Sequence, residues 1–135
     1  MLESLYIRNF RVFRELKIER LGRVNLIVGK NNSGKSCLLE ALCVYAKNAS
    51  PNLLYELIME RGEDWEFEMQ RMNKQPIKEN ENPLRHLFHG YHFPESGNNP
   101  IEIGSFKKIQ NRLKIYTRVY QVIETEKRRS FIRID

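Results

Sequence analysis

Eight consecutive residues, Gly29-Lys30-Asn31-Asn32-Ser33-Gly34-Lys35-Ser36, place two glycines, a lysine and a hydroxyl at the spacing of a Walker A phosphate-binding loop. At ordinary residue frequencies that pattern arises by chance in on the order of one chain in a few hundred. The chemistry it supports is capture of a polyphosphate together with its metal ion. Gly29 and Gly34 permit positive φ and close approach of backbone to ligand. The amides from the loop to Cys37 then converge on one concavity at the start of a helix. Lys35 is expected to reach the β- and γ-phosphates as a point charge, and Ser36 to put its hydroxyl on Mg2+. Asn31, Asn32 and Ser33 are small polar residues that tolerate turn conformations, and Lys30 completes the loop. The bland alternative is a glycine-rich turn that binds nothing, and the complete spacing stands against it.

Such a loop needs a strand to deliver it and a helix to receive the ligand. Residues 24–28, Val-Asn-Leu-Ile-Val, read as the strand. The helix is expected from about Gly34 to Ala46, with Leu38, Leu39, Leu42, Tyr45 and Ala46 on its buried side. Ser50 as N-cap and Pro51 as first helical residue start a second helix that Gly62 stops, and Leu53, Leu54, Leu57 and Ile58 form its apolar stripe. Upstream, residues 2–7 read as a strand, Asn9-Phe10-Arg11 as a turn, and residues 16–21 as an alternating, half-buried strand. Downstream, Trp65, Met69 and Met72 recur at helical spacing, 73–83 is a polar loop, and Asn82-Pro83 caps a short helix ending at Gly90. After the turn cluster 96–100, residues 101–109, 112–124 and 129–134 read as three strands of an antiparallel meander. The chain is therefore expected to be one α/β lobe. Its parts are 1–47 (strands, loop and first helix), 48–100 (a helical and loop insert) and 101–135 (the meander).

The composition sets outer limits. With 135 residues, 41% of them apolar and 30% charged, the chain fits one folded domain or one lobe of a larger one. No apolar run approaches the ~20 residues that span a bilayer, and the acidic, polar start is not a secretory signal. Cys37 and Cys43, six apart in one expected helix, do not favour a mutual disulfide; both are expected to be buried thiols in a reducing cytoplasm. The net charge of +6 is uneven. Residues 1–51 and 101–135 each carry nine basic and four acidic side chains, whereas 52–82 carry four basic and eight acidic. Basic ends around an acidic middle suit a polyanionic partner such as DNA, or simply a solvated surface.

The order strand, Asn-Phe-Arg, strand, turn, strand and phosphate loop resembles the N-terminal lobe of ABC-type, AAA-family ATPases of the RecF, structural-maintenance-of-chromosomes and overcoming-lysogenisation-defect group. The matching positions are Ile7, Asn9-Phe10-Arg11, Phe13, Leu16, Ile18, Asn25 and residues 29–36. The likeness is specific over 1–47 and general over 101–134, where that family has an antiparallel β-subdomain. It implies a P-loop NTPase lobe, incomplete by itself, that binds ATP and Mg2+. It further implies a homodimer or larger ATPase assembly that serves DNA repair or defence against phage. By the same resemblance Arg11 would touch the nucleotide, through adenine or a phosphate; the alternative is a surface arginine at a strand turn. Cys37 stands where the family often has Ser or Thr on the α-phosphate. Its backbone N–H carries that role over, while its thiol is a weak donor.

Other family parts are missing. No four-residue apolar run ends in Asp-Glu, the pair that would hold Mg2+ and activate water. Residues 131–135 come nearest, with an arginine inside the run and no glutamate. A Leu-Ser-Gly-Gly signature and a switch histidine are missing too. The chain is thus expected to bind ATP without efficient hydrolysis unless completed by a Walker B segment and a partner subunit. The rival reading is a non-hydrolysing module that binds DNA or a protein through a basic face of Lys107, Lys108, Arg112, Lys114, Arg118 and Lys127-Arg128-Arg129. A small-molecule kinase would need an arginine-rich lid that cannot be placed. Asn73-Lys74-Gln75-Pro76 lacks the aspartate of a guanine motif, which disfavours GTP. His86, His89 and His92 have helical spacing for zinc, but Gly90 and Pro94 interrupt any such helix.

Overall fold

The computed structural model describes residues 1–30, 34–63 and 82–134. Strands β1 (Leu5–Phe10) and β2 (Phe13–Ile18) form a hairpin. Helices α1 (Lys35–Ala46) and α2 (Pro51–Glu60) follow, then a 3-10 turn over Pro83–Leu87. Strands β3 (Ile101–Gly104), β4 (Leu113–Ile115), β5 (Tyr120–Thr125) and β6 (Arg128–Arg133), with a 3-10 turn over Ile109–Asn111 between β3 and β4, complete the described elements. Four strands make an antiparallel sheet in the order β2-β1-β3-β4, and β5-β6 form a separate hairpin. The meander expected from the sequence is therefore divided between two sheets, with shorter β3 and β4.

The pleat explains the main sheet. Ile7 of β1 lies beside Ile103 of β3, Leu5 and Ile101 share the same parity, and all four are buried. Against them pack Leu38, Ala41 and Val44 of α1 and Leu53, Leu57 and Ile58 of α2. Each such large apolar side chain contributes about 1.5–3 kcal/mol when fully buried. The opposite parity carries polar pairs, Tyr6 beside Lys17, Arg8 beside Glu15, and Glu102 beside Lys114. Tyr6 donates its hydroxyl to Glu15 Oε2 (2.9 Å), and Lys17 pairs with Glu15 Oε1 (3.1 Å). These contacts, that of Lys17 first, hold the Glu15 carboxyl below its ordinary value.

The local start and stop signals are realised. Ser50 Oγ accepts from Leu53 N, Pro51 opens α2, and Gly62 follows its end with φ 66°. Asn82 caps the next turn by accepting from Leu84 N, though that turn is 3-10 and ends at Leu87 rather than Gly90. Three expectations change. The buried side of α1 runs through Cys37, Leu38, Ala41 and Val44, which leaves Leu39 and Ala46 exposed; α2 and β3 cover an adjacent face of the helix. Cys43 is exposed while Cys37 is buried. Residues 24–28 join no sheet, and Val24, Leu26 and Val28 are 90%, 88% and 78% exposed. A strand exists only beside another strand, and a parallel neighbour arrives only through a crossover of a dozen or more residues. The 63–72 helical extension, the polar loop and the Asn73–Pro76 segment fall almost wholly outside the described residues. Among the described residues no helix is long and apolar enough to cross a membrane.

Candidate functional site

Gly34 is the hinge of the site. It sits at φ 96° as the N-cap of α1, a left-handed conformation that costs other residues about 1–2 kcal/mol. A Cβ there would also lie 3.1 Å from Val12 Cγ1 and 3.3 Å from Phe13 Cζ. Having no side chain, Gly34 offers no cap, and among the described residues no side-chain cap bond is made at this helix start, where the first N–H groups have no partner within the helix. Lys35 bends back so that Nζ donates to the Gly29 carbonyl at 2.6 Å. A cation resting on a neutral carbonyl can be recruited by an anion. Ser36 is exposed, and Cys37 is buried beneath it. Gly29 and Lys30 are exposed; Asn31, Asn32 and Ser33 lie outside the described residues.

Gly34 to Cys37 line one side of an open cavity of about 1060 Å³. Its other walls come from the β1–β2 turn (Val12), the end of α2 (Glu60 and Arg61) and the turn after the 3-10 segment (Tyr91). Glu40, one helical turn past Ser36, anchors the floor. Its Oε1 accepts from Arg61 Nε (2.9 Å) and Nη2 (2.6 Å), and Arg61 Nη2 also reaches Cys37 Sγ at 3.5 Å. Burial works against the Arg61 charge, but the bonds to Glu40 and Cys37 outweigh it and raise its pKa.

Arg11 is neither a surface residue nor a lining residue of this cavity. Only 2% exposed, it donates Nη1 to Glu63 Oε1 (2.7 Å) and Nη2 to the Leu57 carbonyl (3.2 Å). Its Nε lies 2.5 Å from Glu40 Oε2, close in charge but out of line for a hydrogen bond. Glu63 also meets His86 Nδ1 at 2.9 Å. The whole Asn-Phe-Arg segment is a structural pin. Asn9 (φ 56°) donates to the Asn99 carbonyl, Phe10 is fully buried and bridges to Phe88, and the Arg11 carbonyl (φ 48°) meets His89 Nδ1. The three histidines go to separate partners: His86 meets Glu63, His89 meets Arg11, and His92 meets the Gly90 carbonyl.

The basic face is partly neutralised. Arg112 pairs with Glu102, lies over the Tyr6 ring at 3.8 Å and donates to two carbonyls; Lys114 shares Glu102. Arg118 lies over Tyr116, and Arg129 pairs with Glu124. Residues 128–133 form the exposed strand of a hairpin, not a buried metal-bearing strand, and Asp135 lies outside the described residues.

Sequence reasoning missed Glu40, Arg61, Glu63 and Tyr91. The spacing of Glu40 from Ser36 was a usable signal, because i and i+4 share a helix face. The other three reach the site only through tertiary structure.

The sequence profile of the AAA ATPase domain matches residues 1–131. The chain belongs to that family. It is 46% identical over 67 residues to the uncharacterised protein MJECL10 of Methanocaldococcus jannaschii, covering 46% of this chain and 31% of that protein. The DNA replication and repair protein RecF of Clostridioides difficile is 46% identical over 41 residues, 30% of this chain and 11% of its own. The DNA double-strand break repair Rad50 ATPase of Archaeoglobus fulgidus is 43% identical over 54 residues, 40% and 6% respectively. The matches thus span less than a third of these relatives' own lengths. No solved structure matches the chain.

Proposed function

We propose that this member of the AAA ATPase family is the nucleotide-binding lobe of a RecF- or Rad50-like ATPase that takes ATP·Mg2+ at Gly29–Cys37. The observation that carries this reading is the pairing of an uncapped α1, opened by the left-handed Gly34, with the Lys35 ammonium on the rim of the same cavity. The donor set fits the group. Helix-start amides and one ammonium suit a triphosphate, and the exposed Ser36 hydroxyl suits its metal ion. Ser36 would hold the Mg2+, which when bound would supply charge neutralisation at the triphosphate. The protein's own work is to hold them: Gly34 keeps the amides convergent, Lys35 exchanges the Gly29 carbonyl for a phosphate oxygen, and Cys37 contributes its N–H. Arg11 acts at a distance, fixing Glu40 and through it Arg61 on the cavity floor.

Hydrolysis belongs to a larger assembly. The exposed 24–28 segment is the edge on which a strand bearing an acidic metal-binding pair would be laid, and a partner subunit would close the site. In that assembly, placed in the cytoplasm, ATP binding is coupled to a DNA transaction of the repair kind, as the relatives' names suggest; phage defence finds no support among them. The rival basic-face module is weakened by the pairing of Arg112, Lys114 and Arg129. Fluorescent-ATP titration with and without Mg2+ tests the reading. Wild type should bind more tightly with Mg2+, and Ser36→Ala should lose most of that gain. A gain unchanged in Ser36→Ala refutes the metal assignment.

A further inference from the structure

The lining of the cavity reaches beyond Gly34 to Cys37. Tyr91, 52% exposed, lines the same cavity as Gly34 to Cys37, from a turn that nothing in the sequence marks as functional. Its backbone is held at φ 60° after Gly90 at φ 81°, a pairing that puts a bulky aromatic in the left-handed region. The surroundings enforce this: Tyr91 N donates to the Phe88 carbonyl (3.1 Å), and Arg85 Nη1 donates to the Tyr91 carbonyl (3.0 Å). The His86 ring braces the phenol ring at 5.4 Å, tilted by 48°. Such strain persists where the fold over-determines a position, and it clusters at ligand clamps. Val12 and Leu39, both more than half exposed, add apolar surface to the same cavity, while Glu60 and Arg61 add a carboxylate and a guanidinium.

We propose that this wall is a nucleobase subsite, in which a purine ring lies on Tyr91 beside Val12 and the ribose meets Glu60 and Arg61. The inference rests on the phosphate-loop reading above and adds the specificity element that reading lacks. A flat aromatic wall with apolar neighbours matches a heteroaromatic ring. A carboxylate acceptor on the same rim matches sugar hydroxyls or an exocyclic amine. Inorganic polyphosphate has neither group to offer, so the subsite discriminates a nucleotide from its bare phosphate tail.

The test compares the affinities of ATP and inorganic tripolyphosphate, each with Mg2+, for wild type, Tyr91→Ala and Tyr91→Phe, with melting curves to verify folding. Base–aromatic stacking predicts that Tyr91→Ala weakens ATP by about fivefold to a hundredfold, with tripolyphosphate unchanged. Tyr91→Phe, which keeps the ring, should stay near wild type. The subsite is overturned if Tyr91→Ala leaves ATP within twofold, if both ligands weaken in step, or if wild type binds ATP no more tightly than tripolyphosphate. In those cases the phosphate-loop reading survives. If wild type binds neither ligand, that reading falls and takes the subsite with it.

Discussion

Replacing Arg11 with methionine separates its buried structural role from the nucleotide contact that the family resemblance implies. The guanidinium is buried between Glu40 and Glu63, whose side chains retain 15% and 13% exposure. Removing one member of a buried ion pair costs about 3–5 kcal/mol, chiefly because the other charge is left without compensation. The residual exposure of both carboxylates favours the lower end, about 3 kcal/mol. For a domain of this size that corresponds to a fall in Tm of roughly 10 °C. Arg11→Lys keeps a charge but lacks the planar fork that serves Glu63 and the Leu57 carbonyl together, so an intermediate loss is expected. Adding Glu63→Gln to Arg11→Met removes one stranded carboxylate, and the double variant should lose less than the sum of the two single losses. Circular-dichroism melts and urea unfolding of wild type, the three single variants and the double variant supply the numbers. If Arg11→Met melts within about 2 °C of wild type, the buried network is not a stabilising element. If it melts normally yet loses ATP, Arg11 is a nucleotide ligand.

Other perturbations probe the remaining parts. Gly34→Ala combines a left-handed backbone with a crowded Cβ, and should cost about 1–2 kcal/mol of stability while weakening ATP binding; a neutral substitution contradicts the assigned φ. Glu15 titrates below its ordinary value in the folded protein, so its contribution is present at neutral pH and lost as pH falls through that lowered value. The stability gap between wild type and Glu15→Gln should accordingly close toward pH 3 in urea unfolding, and a gap constant from pH 7 to 3 refutes the pairing with Lys17 and Tyr6. Leu26→Ser, at a site 88% exposed, should change stability by less than about 0.5 kcal/mol; a large loss means that residues 24–28 are packed in the isolated chain.

What the sequence revealed follows the range of the interactions involved. Both helices were legible because their signals are local: Ser50-Pro51 and Gly62 bound α2, and Gly34-Lys35 opens α1. The Thr125 to Arg128 break was legible for the same reason, as a tight turn between β5 and β6. Residues 24–28 have strand composition, but composition cannot supply a neighbour, and the described residues contain none. The buried face of α1 was misjudged because Leu39 is as apolar as Leu38, and only the positions of β3 and α2 decide between them. Arg11 was the largest surprise. Its partner Glu63 is 52 residues away, and no local pattern announces a buried guanidinium. The site was half legible on the same principle. Gly34, Lys35 and Ser36 belong to one contiguous motif, while Arg61 and Tyr91 join it from the ends of distant turns.

Isothermal calorimetry of wild type and Lys35→Ala with ATP·Mg2+ addresses the central claim most directly. A lysine ammonium bonded to a phosphate is worth about 1.5–3 kcal/mol, so wild type should give saturable heat and Lys35→Ala a Kd about 10- to 100-fold higher. Identical isotherms for the two folded proteins, or no heat from wild type, would contradict it.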